Sequence, residues 1–206
     1  MRGIGCLSSV LLAAALSVRA GEEPVPAGGE EVEIACPNPA GGEPVLLRAT
    51  VPAGWKRNPG FGTAVFEPAD ADDFSDPPRI EIQVLCEGEC GPETVSANID
   101  GYIERLETGW KKLSTGRAAL DRQEGTVEVV ADERAPGGRL LEVKLTYPDG
   151  VSRAMYPPRY WIYRFRHDTG DPYFIVAVGK VPIDAAGRFL AEVRASCLSV
   201  GARQGR

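Results

Sequence analysis

The chain contains a single histidine, His167, which stands beside Asp168 at the end of an alternating apolar segment. An imidazole titrates near neutral pH, so a hydrolase relying on this group for acid-base catalysis would have to use His167. Nucleophilic catalysis also needs a serine or cysteine in an activating turn, and the sequence has no Gly-x-Ser-x-Gly segment. We therefore interpret His167 as a turn residue and expect no catalytic residue. A small secreted hydrolase that uses His167 is the enzymatic alternative.

An acidic loop has the composition of a calcium site but not its spacing. Its four aspartates are Asp70, Asp72, Asp73 and Asp76. They do not follow the pattern D-x-[DN]-x-[DN]-G, and one histidine is too few for a histidine-based metal site. Glycine-rich phosphate motifs are absent as well. We expect an exposed acidic loop, no metal and no cofactor.

A short segment near His167 combines aromatic and basic residues within an acidic protein. Alternation places Trp161, Tyr163 and Phe165 on one strand face, with tyrosine, isoleucine and arginine side chains on the other. Arginine and tyrosine are enriched at binding hot spots. The residues predicted to bind a protein partner or an anionic ligand are Arg153, Arg159, Tyr160, Arg164 and Arg166. The competing interpretation is an aromatic core face with an exposed, locally neutralised row of arginines.

The first twenty residues have the layout of a secretory signal peptide. Arg2 precedes an apolar stretch over 10–16, and Val18 and Ala20 occupy the two small-residue positions before the cleavage that we predict after Ala20. A membrane span needs about 20 apolar residues, more than this stretch offers. Cys6 precedes the apolar stretch, whereas a lipidated cysteine would follow it. We predict export to the periplasm or the extracellular space, without a membrane span.

Four cysteines remain after this cleavage, and an even number in an exported chain predicts two disulfides. Cys86 and Cys90 can close a small loop, and that pairing would leave Cys36 to bond Cys197. Cys36, Cys86 and Cys197 each fall on the apolar face of their predicted strand or helix, as buried bridges require. The apolar periodicity gives the face on which a cysteine lies but not its bonding partner, so the three possible connectivities stay open. A metal or redox site at the Cys-x-x-x-Cys segment is the functional alternative.

The formal net charge of −6 gives the protein no general affinity for nucleic acid or anionic membranes. The chain length suits one domain, which we expect to be monomeric. We predict a flexible leader over 21–30, a domain over 31–200 and a flexible tail over 201–206.

Apolar periodicity defines the elements of this domain. Alternation predicts strands over 31–36, 45–51, 63–66, 79–86, 126–131, 140–147, 160–166 and 173–179. Spacing of three and four residues predicts a long helix over 92–113 and a final helix that Asp184 caps. The order β-β-β-β-α-β-β-β-β-α favours an antiparallel α+β fold over a parallel doubly wound sheet.

This order resembles the Mog1/PsbP-like fold, a curved antiparallel β-sheet with two main helices packed on it. The resemblance is carried by Val51-Pro52-Ala53-Gly54-Trp55, by a long helix ending near Trp110, and by the closing strand and helix from Tyr173 to Cys197. The cysteines and the acidic loop depart from that pattern. Members of the family act by binding larger partners, so the resemblance implies no catalytic residues.

We predict an exported, non-catalytic binding or accessory protein of the cell envelope, with an unknown partner. Two alternatives make different structural predictions. The hydrolase requires a cleft that contains His167 and an acid with a perturbed pKa. A purely structural, disulfide-stabilised secreted protein requires neither a sizeable pocket nor an exposed aromatic patch.

Overall fold

The computed structural model describes residues 28–58, 63–71, 76–114, 126–135, 137–146 and 157–202. Within these ranges the chain forms ten strands, two α-helices and one turn of 3-10 helix. All strand pairings are antiparallel, which confirms the predicted α+β class. The predicted signal peptide lies outside the described residues.

Seven strands build the larger sheet. They are β3 (Trp55–Asn58), β4 (Ala64–Pro68), β5 (Arg79–Leu85), β6 (Thr126–Ala135), β7 (Gly138–Thr146), β8 (Arg159–Arg166) and β9 (Phe174–Pro182). Their order across the sheet is β3-β4-β5-β9-β8-β7-β6. β9 lies in the middle, and every one of its residues is buried. β6 lies at one edge.

A second, smaller sheet joins distant parts of the chain. It contains β1 (Glu30–Cys36), β2 (Val45–Val51) and β10 (Gly201–Ala202), with β2 in the centre. The Thr50 amide also donates to Ser199 Oγ at 2.8 Å, across 149 positions of sequence. Gly201 and Ala202 therefore belong to a sheet, in contrast to the flexible tail predicted from residue 201.

The two helices cover opposite faces of the larger sheet. Helix α1 (Val95–Ser114) packs on the face that carries Tyr163, Phe165 and Phe174, and helix α2 (Ala186–Ser199) packs on the face that carries Ile162 and Ala177. Neighbouring strand residues point to opposite faces, so the two helices define two hydrophobic cores.

The predicted cap at Asp184 is wrong. Asp184 lies inside a 3-10 turn, Ile183–Ala185, and the residue that precedes α2 is Ala185. No side chain caps α2, because the chain enters the helix directly from the 3-10 turn.

Candidate functional site

A cleft of about 370 Å³ lies between the first half of α1 and the β6–β7 hairpin. Its main side chains are Ser96, Ile99, Asp100, Arg134, Arg139 and His167. The His167 backbone amide donates to the Gly137 carbonyl at 2.9 Å, which fixes this strand end beside the hairpin turn. The cleft that the hydrolase alternative requires is therefore present.

The chemistry around His167 lacks the contacts of a catalytic triad. Burial raises the pKa of Asp171, and nearby Asp168 raises it further, whereas His167 acts in the opposite direction. No hydrogen bond joins the His167 ring to a carboxylate or hydroxyl among the residues described above. In a catalytic triad, the nucleophile and its base lie within hydrogen-bond reach of each other.

Arg139, which lines this cleft, forms an ion pair with Asp132. Arg139 Nε and Nη2 donate to the two carboxylate oxygens of Asp132 at 2.7 and 2.9 Å. These hydrogen bonds hold the pKa of Asp132 below its usual range and raise the pKa of Arg139. Asp100 Oδ1 lies 3.7 Å from Arg139 Nη1. The bidentate geometry holds the guanidinium in one orientation, and the Arg139 side chain is 11% exposed.

A second recess, of about 160 Å³, lies on the other side of this ion pair. We call its apolar lining the valine groove, formed by Trp110, Val127, Val129 and Leu141. Glu107, Asp132 and Arg139 complete its rim. Because Arg139 lines both recesses, the cleft and the valine groove adjoin one another along the space between α1 and the hairpin.

Strand β6 exposes an unusual amount of apolar surface for a sheet edge. Val127, Val129 and Val130 are 38%, 58% and 48% exposed. They are three of the four exposed large hydrophobic residues in the described parts of the chain, and the fourth is Leu46 of β2. The register with β7 shifts between Val129 and Ala131, which marks a β-bulge. Val129 and Val130 are adjacent and interrupt the alternation in the sequence. This interruption is the sequence feature from which the exposed surface could have been predicted.

The aromatic half of the predicted β8 surface lies in the core beneath α1. Phe165 is fully buried and Tyr163 is 4% exposed. The Tyr163 ring centroid is 5.9 Å from that of Trp110 and 6.3 Å from that of Phe165. These rings hold α1 on the sheet.

The polar residues of the predicted surface do not form one patch. Arg159 points to the α1 face, where its Nη1 lies 3.4 Å from Asp76 Oδ2, and Lys180 pairs with the same carboxylate. Tyr160, Arg164 and Arg166 point to the opposite face of the sheet, the one that α2 covers. Arg166 Nε lies 3.8 Å from Asp168 Oδ1.

Arg164 is half-buried, Tyr160 lies beneath the Lys144 ammonium, and Arg153 falls outside the described residues. The partner-binding role predicted for these residues stays a prediction.

The cysteines confirm one predicted bridge and correct the other. Cys86 and Cys90 are bonded, with their Cα atoms 5.5 Å apart. Cys36 and Cys197 are unbonded and buried, so the predicted Cys36–Cys197 bridge is not formed. Cys197 Sγ packs over Gly179 of β9, whereas Cys36 lies at the end of β1 within the field of Arg57. The apolar periodicity correctly places both thiols in one core, but the two cysteines are not bonded to each other.

The acidic loop uses its described carboxylates in ion pairs. Asp70 Oδ2 lies 3.6 Å from Arg188 Nη2, and Asp76 pairs with Lys180 and Arg159. Asp72 and Asp73 fall outside the described residues. In the described ranges, no group of three or more histidine, cysteine or acidic side chains is placed to hold a metal ion. No described helix combines the length and apolar character that crossing a membrane demands.

No protein-family model and no curated protein matches this sequence. Similar solved structures include PsbP (CyanoP) of Synechocystis sp. PCC 6803, at 11% identity and a TM-score of 0.47, over 90% of this chain and 99% of that chain. LpqN, involved in cell envelope biogenesis of Mycobacterium tuberculosis, is 12% identical, with a TM-score of 0.47 over 86% of this chain and 93% of that chain. The Ran-binding protein Mog1p of Saccharomyces cerevisiae is 12% identical, with a TM-score of 0.48 over 84% and 94%. The chain is thus similar to structures with the Mog1/PsbP-like fold that its order of elements resembles.

Proposed function

We propose that the chain is an exported, non-catalytic binding or accessory protein of the cell envelope, and that its partner docks on the edge of β6. We call this docking area the β6 surface, formed by Val127, Val129 and Val130 with the adjoining valine groove. The carrying observation is that three of the four exposed large hydrophobic residues in the described ranges lie on this one strand.

Exposed valines on an edge strand leave apolar surface in water and allow mispairing in the free protein. Edge strands are normally kept from mispairing by charges, bulges or short length, and contiguous apolar patches often mark interaction sites. β6 has a bulge and charged residues, yet it is ten residues long and keeps its valines exposed. Burying a fully exposed valine side chain contributes about 1.5 kcal/mol or more, and these valines are 38–58% exposed, so a partner that covers them gains about half of that amount at each one. This contribution favours association over the free state.

The proposed export has two supports. The N-terminal sequence has the layout of a signal peptide, and the Cys86–Cys90 disulfide suits an oxidising compartment. Mass spectrometry of the exported protein is expected to find a mature N-terminus at Gly21. An N-terminus that retains Met1 and an intracellular location would refute this part of the proposal.

The docking surface is tested by photo-crosslinking in the envelope fraction of the native cell. A photoreactive residue at position 129 is expected to capture one protein, and the same residue at position 46 is the control, because Leu46 is similarly exposed on another sheet. Unlabelled wild-type chain and Leu46→Asp should both compete for the captured protein, whereas Val129→Asp should not. Equal competition by both variants would refute the assignment of β6.

A variant at His167 distinguishes the cleft from the valine groove as the docking site. His167→Gln is expected to leave crosslinking at position 129 unchanged, because His167 lines the cleft and not the valine groove. Loss of crosslinking in this variant, with the fold preserved, would move the site to the cleft.

A further inference from the structure

We infer that the partner binds by strand addition: an extended segment of alternating basic and aliphatic residues pairs its backbone with the free edge of β6. This inference rests on the proposed function and names the chemistry of the partner. Three features support it: the edge of β6 that no described strand pairs, the shape of the valine groove and the charge of the rim.

The backbone of β6 offers hydrogen-bonding groups that no described strand uses. Among the described strands, β6 is the last in its sheet and pairs with β7 alone. Alternate amide and carbonyl groups of an edge strand point away from the sheet, where an added strand can bond them. The bulge divides this edge, and residues 126–129 form the part that adjoins the valine groove. A short segment is therefore enough to occupy it.

The valine groove selects the side chain of the added strand. Val127 and Val129 pair with Leu145 and Val143 of β7, so both point to the face that α1 covers. An apolar cavity of about 150 Å³ accommodates a molecule of benzene, which sets the scale for this recess of about 160 Å³. One aliphatic side chain of the partner fits between Trp110 and the two valines. Alternate residues of that partner then point away from the groove.

The rim of the β6 surface is acidic. Glu128 and Glu133 are each 65% exposed on one face of β6, and the exposed Glu107 stands beside the groove on α1. Glu128 lies 3.6 Å from Lys144, and Glu133 lies 3.5 Å from Arg194. Such solvent-exposed pairs are weak, so they leave both carboxylates able to attract a cation. Lysine or arginine side chains in the added strand complement this rim.

The same charges disfavour a second copy of the chain as the occupant. In a two-fold antiparallel pair centred near Val130, Glu128 of one copy would face Asp132 or Glu133 of the other. Like charges directly opposite one another destabilise strand pairing. The formal net charge of −6 adds general repulsion between copies. A basic segment of another polypeptide is the occupant that fits.

Strand addition is tested on the full chain with a fluorescently labelled synthetic peptide of alternating lysine and valine. We expect saturable binding that weakens as salt is added, because the rim contacts are exposed and screened. Methylating alternate backbone nitrogens of the peptide removes its donors on one edge and is expected to weaken binding about tenfold or more. A peptide of alternating glutamate and valine is expected not to bind. Binding by the glutamate peptide, or by the methylated peptide within about twofold of the parent, would overturn the inference.

Chain variants separate this inference from the proposed function. Val129→Asp should abolish peptide binding and Leu46→Asp should not, with circular dichroism confirming that both variants are folded. If position 129 captures a protein in the envelope and the lysine–valine peptide still fails to bind, strand addition is wrong, but docking of the partner on the β6 surface is supported. If position 129 captures nothing, the proposed function fails. A concentration-dependent dimer that Val129→Asp abolishes would identify a second copy as the occupant and overturn the inferred chemistry.

Discussion

Gly179 of β9 lies directly beneath Val193 of α2, so closely that a Cβ atom at position 179 would stand 2.5 Å from Val193 Cγ1. The same atom would lie 3.1 Å from Cys197 Sγ. The glycine is therefore required by the approach of the helix to the sheet. This contact sets the depth at which α2 sits on the larger sheet, and it involves the middle strand of that sheet.

Gly179→Ala is expected to lower the free energy of unfolding by about 1–3 kcal/mol, because the added methyl group overpacks this contact. Val193→Ala introduced together with it should restore part of the loss. Urea denaturation measures both effects. Gly187→Ala is the matched control: Gly187 lies in α2 with nothing near its added Cβ, so alanine there should stabilise by about 0.5–1 kcal/mol. A Gly179→Ala variant as stable as the wild type would contradict the close approach.

Arg194→Met is expected to lower the free energy of unfolding by about 1–3 kcal/mol. Glu142 is 5% exposed, and Arg194 Nε donates to its Oε2 at 3.2 Å, so the substitution leaves a buried carboxylate without this donor. Adding Glu142→Gln should recover part of the loss, because a neutral amide costs less to bury. Arg134→Met, at an arginine 67% exposed, should change stability by no more than about 0.5 kcal/mol. An additive double-mutant cycle would show that the two side chains are not coupled.

Iodoacetamide is expected to leave Cys36 and Cys197 unmodified in the native protein and to modify both after unfolding. Burial raises the pKa of both thiols, and the thiolate is the reactive form. Cys86 and Cys90 should react only after reduction, because they are bonded. Peptide mapping by mass spectrometry measures each cysteine separately. A Cys36–Cys197 linked peptide in a non-reduced digest would contradict the structure and restore the long bridge.

Asp132→Asn is expected to flatten the dependence of stability on pH in acid. The hydrogen bonds from Arg139 lower the pKa of Asp132 in the native state below its unfolded value of about 3.9. The ionised carboxylate therefore adds stability above that value, and this contribution is lost as the pH falls through the lower native pKa. Urea titrations from neutral pH into this acid range measure the effect. Identical profiles for the variant and the wild type would show that the pair adds no stability.

Periodicity predicted most of the fold, because buried faces impose it on the sequence. The strand over 45–51 and the order of the longer elements follow directly from alternation and helical spacing. β3 was missed because it has four residues and none of them is buried. β10 was missed because a two-residue Gly-Ala strand has no pattern to read. Both strands are defined by the neighbours they pair with, which a local pattern does not contain.

The candidate site was less accessible to sequence reasoning than the fold. The alternation in β8 correctly separated its two faces. Helices cover both faces of the sheet, so the arginines of β8 lie next to core residues. Cys36 and Cys197 show the same limit, since phase assigns a face and not a partner. The β6 surface depends on which strand ends the sheet, and that position follows from long-range pairing.

The small sheet has a consequence for the order of folding. Its central strand β2 is bonded on one side by β1, which precedes it closely, and on the other by β10, which follows α2. Synthesis proceeds from the N-terminus, so the β1–β2 hairpin exists long before β10 does, and an isolated hairpin is marginally stable in water. Contacts between distant residues form slowly, because the entropy of closing a long loop opposes them. We expect β2 to keep one unprotected edge until the last step of folding, which makes it the strand most vulnerable to mispairing in a newly made chain.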